Sequence, residues 1–299
     1  MSVALVTDGC HYLPPEAVAG CDLHEVSLYV HRDGAAVRES EITDYDAFYA
    51  SLAAGGAPPT TSQPSIGDVL AVYEPLLAAG HEIVSIHLSG GLSGTVRAAE
   101  QARDQLGDTA GRVHVVDSAT ACGAQGLMLL GAAAAVRAGA PATAVVERAQ
   151  AVRAGLQFLF SLDTLEYLRR GGRIGGAQAW LGSALKIKPI LSLESEIGAV
   201  ERVRTSRRAF ERLVSLLEQM RDAGCDGWVV QHTHQPREAA ALVERGREIF
   251  GTEPVFVSEI GPVIGTHIGP GLLGCGGTPR ELLAPGLGEL LSSGSGEPS

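Results

Sequence analysis

"EIVSIHLSGGLSGTVRAAEQA", residues 82–102, joins an apolar run to a helical pattern through a loop of glycines and hydroxyls. The run at 112–118 has the same form, and 3–8 is predicted to be the first strand of the chain. Short strands that alternate with helices are typical of a mostly parallel sheet with crossover helices. Ligands of such sheets collect at the carboxyl ends of the strands, where these polar loops fall.

Beyond about residue 155 the pattern changes to successive short strands, two of which flank a predicted hairpin turn at 196–198. We therefore predict an α/β protein of two domains with a ligand between them. Residues 1–154 form an N-terminal domain with a mostly parallel sheet, and residues 155–286 form a C-terminal α+β domain with a mainly antiparallel sheet. Residues 287–299 are rich in Gly and Ser and are expected to be disordered.

The composition narrows the functional classes. The chain has 299 residues, of which 45% are apolar, so it can bury a substantial core. Its 23 Lys and Arg residues against 34 Asp and Glu residues give a net charge of −11, which argues against nucleic acid as a partner. The scattered cysteines form no C-x-x-C pair, so we predict reduced thiols and no zinc site. No signal peptide or membrane-spanning run is present, which predicts a cytoplasmic protein without stable membrane insertion. Transient contact with a membrane surface is compatible with this prediction.

The loop at 89–95 is a candidate anion site. Its backbone N–H groups and the side chains of Ser93 and Thr95 converge where a helix begins, and the N-terminus of a helix attracts negative charge. The alternative is that Ser93 or Thr95 only caps the helix. The glycines at 90, 91 and 94 favour a ligand, because backbone without Cβ allows close approach.

A second polar stretch precedes the helix predicted at 66–79. Ser65 and Asp68 form a capping-box pattern, which explains Ser65 structurally. The pattern leaves the run of hydrogen-bonding side chains at 60–63 unexplained. Asp8 and Asp117 also follow predicted strands, and an Asx-turn is the ordinary explanation for both.

The known catalytic motifs are incomplete. Thr95 stands where the G-x-S-x-G nucleophile elbow needs its second glycine, and no P-loop motif is present. His232 and His234 would share one face of a strand, but no third ligand is identifiable, so we predict no metal. His267, predicted to lie in a Gly- and Pro-rich loop, is either part of a carboxylate site or an ordinary structural histidine.

Seven ordered blocks make the sequence similar to the DegV family, whose best-understood members are the fatty-acid-binding subunits of bacterial fatty-acid kinase. The blocks are "VTDG" (6–9), "TTSQPS" (60–65), "SGGLSGT" (89–95), "VVDS" (115–118), "LEYLRRGGRIGG" (165–176), "KIKPIL" (186–191) and "GTHIGPG" (265–271). Gly9 stands where the family usually has a serine, so a hydroxyl is missing there.

The resemblance implies a non-enzymatic lipid-binding subunit that encloses one long-chain fatty acid between its domains and needs no cofactor. It places the carboxylate on Thr61, Ser93 and His267, while Ser62, Gly94 and Thr95 shape the surrounding loops. A separate kinase subunit would then phosphorylate the carboxylate. Burial of about fifteen methylenes at roughly 0.8 kcal/mol each exceeds the 1.5–3 kcal/mol of one charged hydrogen bond, so the tail should dominate affinity.

A basic segment lies within the acidic chain. Residues 169–212 contain ten Lys and Arg residues against four Glu residues. This is either a solvated surface or a docking surface for the kinase, for which the resemblance favours Arg170 and Arg202. Two alternatives to a fatty-acid carrier remain: a serine-dependent acyl hydrolase with Ser93 as nucleophile, and a carrier of another apolar anion such as an isoprenoid or sterol acid.

Overall fold

The computed structural model describes residues 2–18, 22–55, 57–181 and 187–284. The predicted disorder at 287–299 concerns residues outside these ranges. Within them, the boundary predicted between residues 154 and 155 falls at the end of a helix, and the division into two domains at that point stays a prediction.

Strands and helices are interspersed in the first half of the chain. Its strands are β1 (Val3–Asp8), β2 (Leu23–Val26), β3 (Tyr29–Arg32), β4 (Ala35–Arg38), β5 (Thr60–Ser62), β6 (Glu82–His87) and β7 (Val113–Asp117). Its helices are α1 (Tyr45–Ala54), α2 (Ile66–Ala78), α3 (Thr95–Asp104), α4 (Cys122–Arg137) and α5 (Ala142–Gly155).

The second half is richer in consecutive strands. Its strands are β8 (Gln157–Ser161), β9 (Lys188–Glu194), β10 (Glu196–Val203), β11 (Gly227–His232), β12 (Phe256–Glu259) and β13 (Leu273–Thr278). Its helices are α6 (Glu166–Arg170), α7 (Ser206–Asp222), α8 (Pro236–Phe250) and α9 (Pro262–Ile268).

The first half is built on a parallel sheet, as predicted. The strand order is β2-β1-β6-β7, and all three neighbouring pairs are parallel. Alternate residues of β1 face opposite sides: Val3 and Leu5 pack with α4 and α5, whereas Ala4 and Val6 pack with α2 and α3. Both faces of the sheet are therefore covered by helices, which is the usual arrangement for parallel strands.

Helix α4 lies between the two main sheets. Its residues from Gly123 to Ala135 are all buried, which explains why its sequence is apolar on every side. One core joins α4 and α5 to the parallel sheet and also to Val229 and Phe256 of the second half. Helices α7 and α8 cover the other face of the second sheet.

The second sheet is mainly antiparallel, as predicted. Its order is β10-β9-β8-β13-β11-β12, and only the β11–β12 pair is parallel. The sequence did not predict β13, because glycine is unfavourable in strands. Here glycine is required: a Cβ on Gly276 would lie 2.2 Å from the ring of Phe158.

The hairpin between β9 and β10 forms, but its turn is not at 196–198. Those residues belong to β10, and the turn is at Ser195, which has a positive φ of 67°. The Ser89 hydroxyl donates a hydrogen bond to the Ser195 carbonyl oxygen at 2.5 Å. The hairpin tip is thus fixed on the loop that follows β6.

A three-stranded sheet of order β4-β3-β5 was not predicted. Its strands are only three or four residues long, which is too short for a clear alternating pattern. Residues 60–62 are therefore a strand and not a loop, and Thr61 pairs with Val30 of β3.

None of the helices in the described ranges combines the length and the apolarity that a membrane span requires. The apolar segment at 126–136 belongs to the buried helix α4.

Candidate functional site

A cavity of about 310 Å³ lies between the two halves of the chain. Its polar lining includes residues of β5, of the loop before α3 and of α9, together with Gln63, Thr120, Arg173 and Gln231. The apolar lining comes from both sheets, the β9–β10 hairpin and α9. The lining residues are Leu28, Thr61, Ser62, Gln63, Leu88, Leu92, Ser93, Gly94, Thr120, Ala121, Cys122, Phe158, Phe160, Leu168, Arg173, Leu193, Ile197, Gln231, Ile260, Val263, Ile264, His267, Ile268 and Leu272.

The structure brings Thr61 and His267 together in the wall of this cavity. Thr61 Oγ1 lies 2.7 Å from His267 Nε2, although the two residues are 206 positions apart in the chain. His267 lies near the end of the short helix α9, so its prediction in a loop was wrong. The glycines before and after it did not prevent a helix of seven residues from forming.

His267 is held as a neutral imidazole. Burial and, as the smaller cause, the nearby charge of Arg173 together lower its pKa to about 4. Its Nδ1 atom is buried without a hydrogen-bond partner among the described residues. Because a Cβ on Gly171 would lie 2.3 Å from Nδ1, the glycine is what allows the ring to pack there.

Ser93 lines the cavity, whereas Thr95 does not. Thr95 is fully buried, and its Oγ1 lies 2.8 Å from Ser93 Oγ. The N-cap of α3 is Gly94 and has no side-chain cap, so neither hydroxyl caps the helix in the usual way. The Ser93 hydroxyl instead accepts a bond from the Thr95 N–H at 3.3 Å.

The polar residues beside Thr61 face different neighbours. Ser62 Oγ lies 2.8 Å from His31 Nε2, although Ser62 also lines the cavity. Gln63 packs so closely against Gly94 that a Cβ there would lie 1.9 Å from its Oε1. The glycines of the 89–95 loop are therefore needed for contacts within the protein. Gly91 has the same role, since a Cβ there would lie 2.4 Å from the Ser195 carbonyl oxygen.

Two aspartates hold the loops at the carboxyl edge of the parallel sheet. Asp8 is fully buried and accepts hydrogen bonds from the backbone N–H groups of Cys10 and Leu88. Asp117 accepts from the N–H groups of Gly90 and Ala119. The Asx-turn interpretation of both is confirmed, and neither residue lines the cavity.

A second cavity, of about 330 Å³, adjoins the first. Thr61, Arg173 and His267 line both cavities and so form part of the wall between them. The second cavity is also lined by Arg170 and by the ion pair of Arg32 and Asp33. Arg173 was counted in the basic segment but was not predicted as a site residue. The neighbouring glycines at 171 and 172 are the sequence feature that could have indicated a close approach.

The basic segment is partly neutralised. Arg169 and Arg170 both pair with Glu166, which lies just before this segment in the sequence. The guanidinium of Arg202 lies 5.6 Å from the centre of the Trp180 ring. Arg170 and Arg202 are both exposed, and Arg170 lines the second cavity.

A nucleophilic role for Ser93 lacks a base. Its hydroxyl is bonded to Thr95, and among the described residues no imidazole forms a hydrogen bond with it. A serine–histidine–aspartate arrangement does exist elsewhere, in the parallel sheet. Ser85 Oγ lies 2.7 Å from His87 Nε2, and His87 Nδ1 lies 3.1 Å from Asp8 Oδ2. All three residues are 0% exposed, so no substrate can reach Ser85.

His232 and His234 do not form the pair that the sequence allowed. His232 ends β11, and His234 lies beyond the strand in a left-handed conformation. His234 instead clusters with Asp46 and Glu259, and one ligand-type atom of each lies within 4.8 Å of the others. Asp46 is far from His234 in sequence, which explains why no third group could be identified.

Comparison with known proteins gives a consistent result. The model of a family described as uncharacterised DegV-family proteins matches residues 2–279. Protein DegV of Bacillus subtilis is 35% identical over 277 residues, which cover 92% of this chain and 98% of that protein.

Two solved structures share the fold. One is a fatty-acid-binding DegV-family protein from Thermus thermophilus, with a TM-score of 0.84 and 35% identity over 93% of this chain and 99% of that one. The other is DegV of Bacillus subtilis, described as a fatty-acid-binding protein, with a TM-score of 0.83 and 34% identity over 93% and 99% of the respective chains.

Proposed function

The chain belongs to the DegV family, and from this premise we propose that it binds a long-chain fatty acid in the cavity between its halves. It presents the carboxylate to a separate kinase subunit for conversion to an acyl phosphate. The protein is not itself an enzyme in this proposal, and it acts in the cytoplasm.

The observation that carries the proposal is the combination of an apolar cavity with a small polar wall. Phe158, Phe160 and Leu272 offer the tail an apolar surface, while hydroxyls and an imidazole line the region around Thr61. Burial of each methylene contributes about 0.8 kcal/mol, so the tail supplies most of the affinity. A buried carboxylate without partners would be too costly, which is why the polar wall is needed.

Thr61, Ser93 and His267 are the proposed head-group ligands. If His267 carries its proton on Nε2, it donates to Thr61 Oγ1, and the Thr61 hydroxyl is free to donate to the carboxylate. Ser93 donates from the start of α3, where the helix also favours negative charge. Ser62 and Gly94 shape the surrounding backbone, and Thr95 supports Ser93 from behind.

Neutral donors suit a substrate that must still react. They hold the carboxylate without the bidentate pairing of an arginine, so one oxygen stays available for phosphoryl transfer. The second cavity lies on the other side of the Thr61–His267 contact and gives a kinase a route to that oxygen. Arg170 and Arg202 are the proposed docking residues, because they are exposed and basic and Arg170 lines this second cavity.

Denaturing mass spectrometry of the protein purified from bacteria tests the binding proposal. We expect release of a long-chain fatty acid in about one equivalent. Release of an isoprenoid or sterol acid would instead support the other class of apolar anion. An empty protein that also fails to bind added palmitate or oleate would contradict the proposal.

The head-group site is tested by Thr61→Val, Ser93→Ala and His267→Ala. Each removes one donor or its support, so we expect fatty-acid affinity to fall about tenfold to a hundredfold, equivalent to roughly 1.5–3 kcal/mol. Thr60→Val is the matched control, because Thr60 is the exposed neighbour of Thr61 on the same strand. Affinity equal to wild type in all three variants would place the head group elsewhere.

Kinase docking is tested by charge reversal. Arg170→Glu and Arg202→Glu should reduce acyl-phosphate formation by a fatty-acid kinase while the lipid content stays unchanged. Arg207→Glu is the control, since Arg207 belongs to the same basic segment and is highly exposed on α7. An equal loss in all three variants would indicate a general charge effect and would argue against a specific docking surface.

A further inference from the structure

Helix α9 begins without a side-chain cap of its own. Its N-cap residue is Gly261, and Pro262, the first helical residue, has no N–H to satisfy. The N–H groups of Val263 and Ile264 therefore need acceptors from another part of the chain, because the first N–H groups of a helix have no partner within it.

Glu39 and Tyr12 supply these acceptors. The Val263 N–H donates to Glu39 Oε1 at 2.7 Å, and the Ile264 N–H donates to the Tyr12 hydroxyl at 3.3 Å. The Tyr12 hydroxyl in turn donates to Glu39 Oε1 at 2.8 Å. Glu39 is 224 residues from Val263 in sequence, so a carboxylate of the first half holds a helix of the second.

The packing around this carboxylate is tight. Glu39 is 6% exposed, and its Oε2 atom is buried without a hydrogen-bond partner among the described residues. A Cβ on Gly261 would lie 2.9 Å from Glu39 Oε1 and 2.7 Å from the Tyr45 hydroxyl. Glu39 is therefore almost fully shielded from water while α9 stays in place.

The charged groups around Glu39 disfavour its ionised form. The net effect raises its pKa to about 7: burial is the largest cause, the carboxylates of Asp8 and Glu25 act in the same direction, and the hydrogen bonds from Val263 and Tyr12 act against it. Glu25 itself pairs with His11. Burial also raises the pKa values of the other titratable neighbours, so these stay neutral between pH 6 and 8.5; they are Cys10, Tyr12, Tyr45, Tyr49 and Cys122.

The same helix forms one wall of the fatty-acid cavity. Val263, Ile264, His267 and Ile268 all line it, and His267 contacts Thr61. A displacement of the first turn of α9 also displaces its last turn, because the helix has seven residues and is only about 10 Å long.

We propose that Glu39 is a positioning residue for the bound carboxylate: it anchors α9 against the cavity, and its charge state sets how fast the ligand is released. The inference rests on the proposed function for the identity of the ligand. One buried carboxylate thereby controls the position of the helix that carries His267.

The direction of the pH effect on ligand release follows from proton linkage. The closed arrangement, with Glu39 buried, holds the proton more tightly than any arrangement in which α9 moves and the carboxylate meets water. Loss of the proton therefore favours the open arrangement. Ligand release should accelerate as pH rises through about 7, and the closed form should be favoured below that value.

The test measures the dissociation rate of cis-parinaric acid, a fluorescent fatty acid, between pH 6 and 8.5. In the wild type we expect the rate to rise on the order of tenfold over this range. Glu39→Gln keeps an oxygen acceptor but cannot ionise, so its rate should stay low and change less than twofold. Glu41→Gln is the matched control, since Glu41 is exposed on the same turn and should keep the wild-type profile.

Hydrogen exchange at the Val263 and Ile264 amides of the ligand-free protein gives a second readout. Exchange in the wild type should increase with pH beyond the intrinsic dependence, and Glu39→Gln should remove this increase. Identical profiles in both proteins would overturn the inference, even if fatty acid binds. Failure to bind any fatty acid, with the exchange difference intact, would instead contradict the proposed ligand and leave the role of Glu39 in holding α9 supported.

Discussion

At the residue scale, the proposed head-group site depends on the contact between Thr61 and His267. The two side chains lie 2.7 Å apart in the wall that separates the two cavities. A bound carboxylate would meet a neutral imidazole, and its negative charge would raise the pKa of His267 toward the ordinary value. The positive charge of Arg173 lowers the same pKa, so a bound carboxylate and Arg173 would have opposite effects on the protonation of His267.

The lowered pKa of His267 predicts sensitivity to acid. The unfolded chain binds a proton at this residue below about pH 6.5, whereas the folded chain does so only near pH 4. The free energy of unfolding of the ligand-free protein should therefore fall, by up to about 3 kcal/mol, as pH drops from 6.5 to 4. Urea denaturation across this range, compared with His267→Gln, measures the effect.

Glu39 has the opposite effect on stability over part of this range, because its raised pKa lets the folded state take up a proton below about pH 7. The comparison should therefore be made in a Glu39→Gln background, which removes this contribution. In this background, the protein with His267 is compared with the His267→Gln protein. If the difference between their free energies of unfolding does not change with pH, the imidazole is not held neutral.

At the scale of elements, strand β13 shows how glycine can be a requirement in a sheet. It lies between β8 and β11 in the middle of the six-stranded sheet. Gly276 leaves room for the ring of Phe158 and for the Gln157 carbonyl oxygen, both within 2.3 Å of an added Cβ. Phe158 also lines the cavity between the two halves, so the glycine strand helps to place an apolar wall.

Gly276→Ala should therefore destabilise the protein by about 1–3 kcal/mol, because neither the ring nor the backbone can move freely. Gly111→Ala is the control, since nothing lies within 4 Å of its added Cβ. Chemical denaturation measures both. Equal stabilities for the two variants would show that β13 tolerates side chains and that steric crowding does not explain its glycines.

The elements with strong periodicity could be predicted from the sequence, and those set by tertiary contacts could not. The strand at 82–87 and helices α2 and α7 follow from apolar spacing and a capping box. Strand β13 and the three-stranded sheet were missed, since glycine and short length hide strand patterns. Ser195, with its positive φ, gave no signal that it would form the hairpin turn.

At the scale of the whole molecule, the cavity is assembled from segments of both halves. The loop after β6, strand β5, the β9–β10 hairpin and α9 all contribute to its wall. Motif similarity predicted Thr61, Ser93 and His267 as one group, but their partners could not be read from the sequence. Glu39, Gln63 and Arg173 act through contacts between distant segments, and no local pattern marks such contacts.

The hairpin tip gives a prediction at this scale. A Cβ on Gly91 would lie 2.4 Å from the Ser195 carbonyl oxygen, so Gly91→Ala should displace the hairpin. Leu193 and Ile197, on either side of the tip, line the cavity. We expect faster fatty-acid loss and a stability decrease of about 1–3 kcal/mol, measured by ligand dissociation and denaturation.

Gly176→Ala is the control for the hairpin, because its added Cβ would lie at an ordinary distance of 3.5 Å from the Ile197 carbonyl oxygen. It should keep the wild-type rate of ligand loss. Wild-type retention in Gly91→Ala would show that the hairpin does not help to close the cavity.

The buried arrangement of Ser85, His87 and Asp8 has a consequence for recognising enzymes by shape. Its interatomic distances match those of a hydrolytic triad, so a search that matches atom positions alone would select this protein as an esterase. The Tyr73 hydroxyl donates to Ser85 Oγ and completes a sealed polar chain inside the parallel sheet. Such a buried network of hydrogen bonds can make a sheet more rigid without taking part in a reaction. Access to solvent is what distinguishes a catalytic triad from this structural network.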